Sequence, residues 1–208
     1  MGRTYDGLDD GHIEWIERLP MFFVATAPND PEGHVNLSPK GGIGTFRVLG
    51  PTTFAYLDLT GSGVETIAHL RENGRIVVMF CAFDGPPKIM RLHGRGRVVQ
   101  RDDADFADLL ARFSPGDDVL TILRSIIVVE TTRVADSCGF VVPRLTLAEE
   151  RDHLFRWAEH KAETIGDGWK EQYHRANNRV SLDNLPGLAC DESEPADAER
   201  LSSAGRAL

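Results

Sequence analysis

The sequence predicts an α+β fold, mainly β with helices: antiparallel strands closing as a barrel, helices at its ends, and a helical C-terminal extension. Three observations predict it. Short runs rich in β-branched and aromatic residues recur at hairpin spacing between Met21 and Gln100. A single helical period is embedded among them, whereas a parallel sheet would need a helix between successive strands. Beyond the β-branched run Ser125–Val134 the apolar pattern turns helical.

The elements follow in order. Residues 10–18 carry Ile13, Trp15 and Ile16 at helical spacing, and Pro20 stops that helix. Residues 21–27 (MFFVATA) read as a buried strand, followed by a PNDPEG turn. Residues 34–40 (HVNLSPK) alternate apolar and polar side chains, which predicts a strand with one polar face. Strands are expected near 45–49 and over 53–59, separated by Gly50-Pro51. Ser62 and Glu65 have capping-box spacing for a helix over 63–72, closed by Asn73-Gly74. Two strands over 75–83 and 88–100 form a hairpin through DGPP. Phe106, Leu109, Leu110 and Phe113 predict a helix over 102–113, and 125–134 a long strand. Thr146 and Glu149 form a second capping-box pattern for a helix to about Glu163, and another helix is expected near 169–176. The organisation is a barrel domain over 1–136, a helical extension packed on it over 137–190, and a disordered tail over 191–208 with five acids and two arginines.

The 208 residues include 23 basic and 32 acidic side chains, a net charge of −9, which argues against a polyanionic partner such as nucleic acid. No run approaches the roughly 20 apolar residues of a membrane span, and the polar, acidic first ten residues do not read as a signal peptide. Cys81, Cys138 and Cys190 are widely spaced, without a metal-type pair, which points to a reduced, cytoplasmic setting and no metal site. His153 and His160 lie two helical turns apart, too far to chelate one ion unaided.

Three places could carry chemistry. Asn36, Ser38 and Lys40 share one strand face and run into Gly41-Gly42, where a ligand could approach the backbone; a solvated strand face has the same pattern. Asp58–Thr66 is a strand–turn–helix whose helix start could seat a phosphate, or could only be capped by Ser62 and Glu65. Lys88, Arg91, Arg95 and Arg97 form a basic strand with the three arginines on one face, which also fits a solvated stripe.

The blocks HVNLSPKGG, TFAYLDL, ETIAHLRENGRI, VVMFCAF and RLHGRGRVV, in this order over Trp15–Val134, resemble the pyridoxamine 5′-phosphate oxidase-like superfamily of FMN-binding split barrels. The resemblance implies an antiparallel split β-barrel acting as a homodimer, with FMN in clefts between subunits. It implies cofactor contacts from Val35, Asn36, Leu37, Ser38, Pro39 and Lys40, and from Tyr56, Leu57 and Asp58 at the end of the next strand. Such proteins usually place a basic pair at the start of the embedded helix to grip the phosphate. This chain has Gly63-Val64-Glu65-Thr66 there, which leaves Ser62, Thr66 and Arg91 as the substitutes. The C-terminal block does not match the flavin-contacting end of the vitamin oxidase. The implied function is an FMN-binding oxidoreductase of a small-molecule substrate, with no catalytic side chain singled out. The alternatives are a deazaflavin-dependent reductase or haem-handling relative on the same barrel, and a non-catalytic ligand-binding dimer with a degenerate flavin site.

Overall fold

The computed structural model describes residues 2–42 and 44–189; the tail expected to be disordered, 191–208, lies outside the described residues. The chain runs β1 (Thr4–Tyr5), α1 (Asp10–Glu17), β2 (Met21–Thr26), β3 (Asn36–Gly41), β4 (Phe46–Gly50) and β5 (Thr53–Leu59). It continues with α2 (Glu65–Glu72), β6 (Arg75–Cys81), β7 (Ile89–Val99), α3 (Phe106–Leu110), α4 (Asp117–Ile122), β8 (Leu123–Ser137), α5 (His153–Ile165) and α6 (Trp169–Asn177). All pairings are antiparallel, in the order β3-β2-β6-β7-β8-β5-β4, with β1 added to β8. The curled sheet is a split barrel: β3 and β4 are its two edges.

Alternation builds the interior. Phe22 and Val24 on β2, Val78 and Phe80 on β6, Met90 and Leu92 on β7, Ile127 and Val129 on β8, and Phe54 and Tyr56 on β5 all point inward and are buried. Phe22 is the hub, with ring centroids 5.0 Å from Phe46, 5.4 Å from Phe54, 5.3 Å from Tyr56 and 5.7 Å from Phe80. The opposite faces of β5 and β8 are covered too. Ala55, Leu57, Ile126 and Val128 pack under Phe106, Phe113, Val119 and Leu123. Helix α2 lies over β2, β6 and β7 and ends at Gly74, whose φ of 71° suits glycine. Helices α5 and α6 rest on α4 through Ala158, Trp169 and Ile122.

Local chemistry redraws several expected elements. The helix over 102–113 shrinks to Phe106–Leu110, because the Asp103 carboxylate accepts the Gln100 N–H and holds 100–103 in a turn. Neither capping box forms. Helix α2 is preceded by Val64 without a side-chain cap, and Glu65 turns to the N–H of Leu182. Residues 143–152 are irregular, so α5 starts at His153. Strand β8 extends beyond 125–134 to Leu123–Ser137, and β1 joins it where Asp136 accepts from the Arg3 N–H and Tyr5 hydroxyl. Helix α4 lacks an expected counterpart, because its apolar residues run on into the β8 pattern.

Phe22→Ala would empty the aromatic hub and is expected to cost about 3–5 kcal/mol, read as a lower denaturant midpoint.

Candidate functional site

The site is built at the edge strand β3. Asn36, Ser38 and Lys40 face their β2 partners Thr26, Val24 and Phe22, so their shared polar face turns toward the barrel interior. Thr26, Asn36, Ser38, Thr66 and His69 form one network. The Asn36 amide donates to Thr26 (3.1 Å) and Thr66 (3.0 Å), and the Ser38 hydroxyl donates to Asn36 Oδ1 (2.9 Å). Thr26 Oγ1 and His69 Nδ1 are 3.0 Å apart. The Thr26 hydroxyl, which accepts from Asn36, is thus shared with His69 Nδ1. The other ring nitrogen, Nε2, is buried and has no hydrogen-bond partner among the described residues. Burial lowers the His69 pKa, against the raising charges of Asp183, Glu65 and Glu72.

Lys40 reaches further in. Its ammonium lies 3.1 Å from Asp58, which is fully buried on β5. Arg124 of β8, 3% exposed, holds the other oxygen of that carboxylate at 2.8 Å, and the Ser125 hydroxyl is 3.3 Å away. Burial alone would raise the Asp58 pKa. The Arg124 and Lys40 charges and hydrogen bonds outweigh it and hold the carboxyl well below the usual range. The guanidinium of Arg124 also donates to the carbonyls of Gly61 and Gly63 and so shapes the turn into α2. Next to these charges, burial and the Asp58 charge raise the Tyr56 pKa well above its ordinary value, and its buried hydroxyl has no hydrogen-bond partner among the described residues.

The extension completes the surroundings. His174 Nε2 and Thr60 Oγ1 are 2.9 Å apart, and burial, then Arg124 and Lys170, push the His174 pKa down to about 4 despite Asp58. The Asn178 amide donates to the carbonyls of Gly61 (2.9 Å) and Ser62 (3.2 Å). Asp183 accepts from both the backbone and the ring of His34, at 2.8 and 2.6 Å.

The structure gathers Asn36, Ser38, Lys40, Asp58, Tyr56 and Thr66 around the β3 end of the barrel, beside the turn carrying Ser62. Val35 (73% exposed), Leu37 (65% exposed) and Pro39 face outward on the edge. Leu57 points into the second core, away from Lys40. Arg91 lies on the outer sheet face, in the row Pro39–Phe23–Met79–Arg91, roughly 14 Å from β3 at about 4.8 Å per strand. There it donates to Ser137. The basic stripe does not converge: Arg95 donates to the Asn73 carbonyl and Arg97 pairs with Asp105. Sequence reasoning missed Arg124, although a lone cation inside the apolar run ILRSIIVV signals a buried partner. Thr26, His174, Asn178 and Asp183 carry no comparable signal.

The family model described as pyridoxamine 5′-phosphate oxidase matches residues 8–138. A pyridoxamine 5′-phosphate oxidase family protein of Aspergillus flavus, ustO, is 42% identical over 197 residues, covering 88% of this chain and 77% of that protein. Among solved structures, HupZ of Group A Streptococcus (the H111A form) is 18% identical, with a TM-score of 0.46 over 62% of this chain and 98% of that one. An FAD binding protein from Mycobacterium smegmatis is 16% identical, with a TM-score of 0.43 over 64% of this chain and 97% of that one.

Asp58→Asn would leave Arg124 buried without its counter-charge, at an expected cost of about 3–5 kcal/mol at pH 7. The Asp58 pKa is lowered on folding, so its contribution is complete above the unfolded carboxyl value and fades as pH falls. By pH 3 the difference between variant and parent should be about 1 kcal/mol smaller, read from denaturant midpoints. His174 behaves in the same sense for a different reason. Its folded form is neutral, so stability present above about pH 6.5 is lost toward pH 4. Acidification from pH 7 to 5 should loosen α6 by about 1–2 kcal/mol, seen as faster amide exchange, and His174→Gln should remove that dependence.

Proposed function

The chain belongs to the pyridoxamine 5′-phosphate oxidase family, and we propose that it is an FMN-binding oxidoreductase, a cytoplasmic homodimer acting on a small-molecule substrate. The observation that carries this reading is the edge strand β3, backed by the Lys40–Asp58–Arg124 triad. An edge strand leaves alternate backbone N–H and C=O groups without sheet partners, and these suit the hydrogen-bonding rim of a flavin ring. The residues proposed to hold the ring are Val35, Asn36, Leu37, Ser38, Pro39 and Lys40. Tyr56 and Asp58 support them from β5, and Ser62 and Thr66 are the polar groups proposed for the remainder of the ligand, whereas Leu57, in the second core, and Arg91, on the outer sheet face, stand apart from them.

The donor set fits the ring end. Asp58 and Arg124 hold Lys40 at the inner end of the strand, where its ammonium can offset negative charge on a reduced ring. The exposed Val35 and Leu37 offer apolar surface to a ring face. When bound, FMN supplies hydride or electron transfer at its own N5, and the protein binds, orients and excludes water. The phosphate end fits less well, because the start of α2 has no basic side chain.

The homodimer is supported by the outer face of β2, β6 and β7, where Phe23, Ala25, Val77 and Met79 are only partly buried. A shallow cavity of about 390 Å³ lies there, bordered by Ala25, Val35, Val77, His93 and Thr132. A second subunit would cover such a face and close a cleft along β3. No helix among the described residues is long and apolar enough to cross a membrane.

Titration with FMN, followed by flavin fluorescence, tests the reading. Saturable binding is expected, with Lys40→Met weakening it about tenfold, or about 1.4 kcal/mol. The absence of saturable binding by the parent protein would refute it.

A further inference from the structure

We propose that the chain's own C-terminal hairpin closes the turn between β5 and α2 to a phosphate group. The site then takes a flavin by its ring and ribityl chain and gains no affinity from the 5′-phosphate. This rests on the flavin reading above and narrows it.

A helix start without a side-chain cap is ordinarily a ready seat for an anion, because its N–H groups and dipole face outward. Helix α2 has such a start, preceded by Val64. The residues leading into it, Gly61-Ser62-Gly63-Val64-Glu65-Thr66, include no cation. Arg124 is the guanidinium beneath this turn, and its Nε and Nη1 are committed to Asp58 and to the Gly61 and Gly63 carbonyls. Asp58 offsets one of the two cations it holds, so Lys40, Asp58 and Arg124 together keep one positive charge inside the barrel. Arg91 is on the other face of the sheet, on Ser137.

The turn is then occupied from above. Residues 178–188 fold back as a hairpin, with Val180 bridging Pro186, the Ser181 N–H on the Leu185 carbonyl, the Gly187 N–H on the Arg179 carbonyl, and Asn184 at φ 59° in the tip. The hairpin is fastened along its length. The Asn178 amide spans the Gly61 and Ser62 carbonyls, the Leu182 N–H donates to Glu65 (3.3 Å), Asp183 grips His34, and Arg71 donates to the Gly187 carbonyl. Leu188 is buried in the same core as Val64. Gly187 sits so close that a Cβ would lie 2.3 Å from the Asn178 carbonyl oxygen and 2.9 Å from a Val64 methyl.

The consequence is electrostatic as well as steric. Glu65 folds back over the turn, its carboxylate oxygen 2.8 Å from where a Cβ on Gly63 would stand. Asp183 brings a second carboxylate, and both charges reach His69, one helical turn below Glu65. A phosphate dianion entering here would meet the Glu65 carboxylate and would have to displace the hairpin.

The test compares riboflavin with FMN on the purified full-length protein, by fluorescence titration at pH 7.5. Dissociation constants within about threefold of each other are expected. In the Glu65→Gln/Asp183→Asn double variant, which keeps the shapes and removes both charges, the balance should shift toward FMN by threefold or more. Amide exchange supplies a second readout: FMN should leave the protection of Leu182, Gly187 and Leu188 unchanged. A tenfold or greater preference of the parent protein for FMN, or release of the hairpin amides on adding FMN, overturns the proposal. Failure of both flavins to bind overturns the flavin reading itself, and this inference with it, a result distinct from a strong FMN preference.

Discussion

A single buried carboxylate ties the edge strand, β8 and the turn into α2 together. Asp58 on β5 is fully buried and takes Lys40 from β3 on one oxygen and Arg124 from β8 on the other. These three charges are costly to desolvate, and the carboxylate is held because it hydrogen-bonds both cations. The geometry then propagates. Arg124 donates through Nη1 to the Gly61 and Gly63 carbonyls, which sets the turn into α2, and Lys40 ties the edge strand to the interior. Beside these charges Tyr56 stays neutral, and His174 stays neutral on Thr60. The edge of the sheet, the helix start and the extension therefore share one electrostatic anchor.

Strand β3 reverses the usual arrangement of a half-buried strand. Its polar residues face inward and its apolar ones outward. The inward set is stable because Thr26, Thr66, Asp58 and, through Thr26, His69 engage it. The outward Val35 and Leu37 remain exposed and adjoin the half-buried outer face of β2 and β6. An edge of this kind is a liability for a monomer and an asset for a ligand-holding dimer, since a ring and a second subunit can both be received on it.

The C-terminal extension does more than pack. Its helices α5 and α6 bury Ala158 and Trp169 against Ile122 of α4, and its last described segment wraps the β5–α2 turn and reaches His34 on the approach to β3. A helix start that looks open from the chain alone is thus roofed by residues more than a hundred positions away.

The barrel was legible because short runs rich in β-branched and aromatic residues leave a local trace: 21–27, 53–59, 75–83 and 88–100 each carry it within a few residues, and the strands formed there. Asn36, Ser38 and Lys40 were legible as one face for the same reason of period. Which way that face points was not, since the inside of a barrel is defined only by the strands that close it. Ser62 and Glu65 had the right spacing for a cap, yet Glu65 binds Leu182 and the cap is absent, because a distant N–H competes for the same carboxylate. Local order, strand periodicity and the chemical types present at the site were thus written along the chain. The partners of Asp58, the direction of β3 and the occupant of the α2 turn depend on contacts between residues tens to more than a hundred positions apart, and tertiary packing alone settled them.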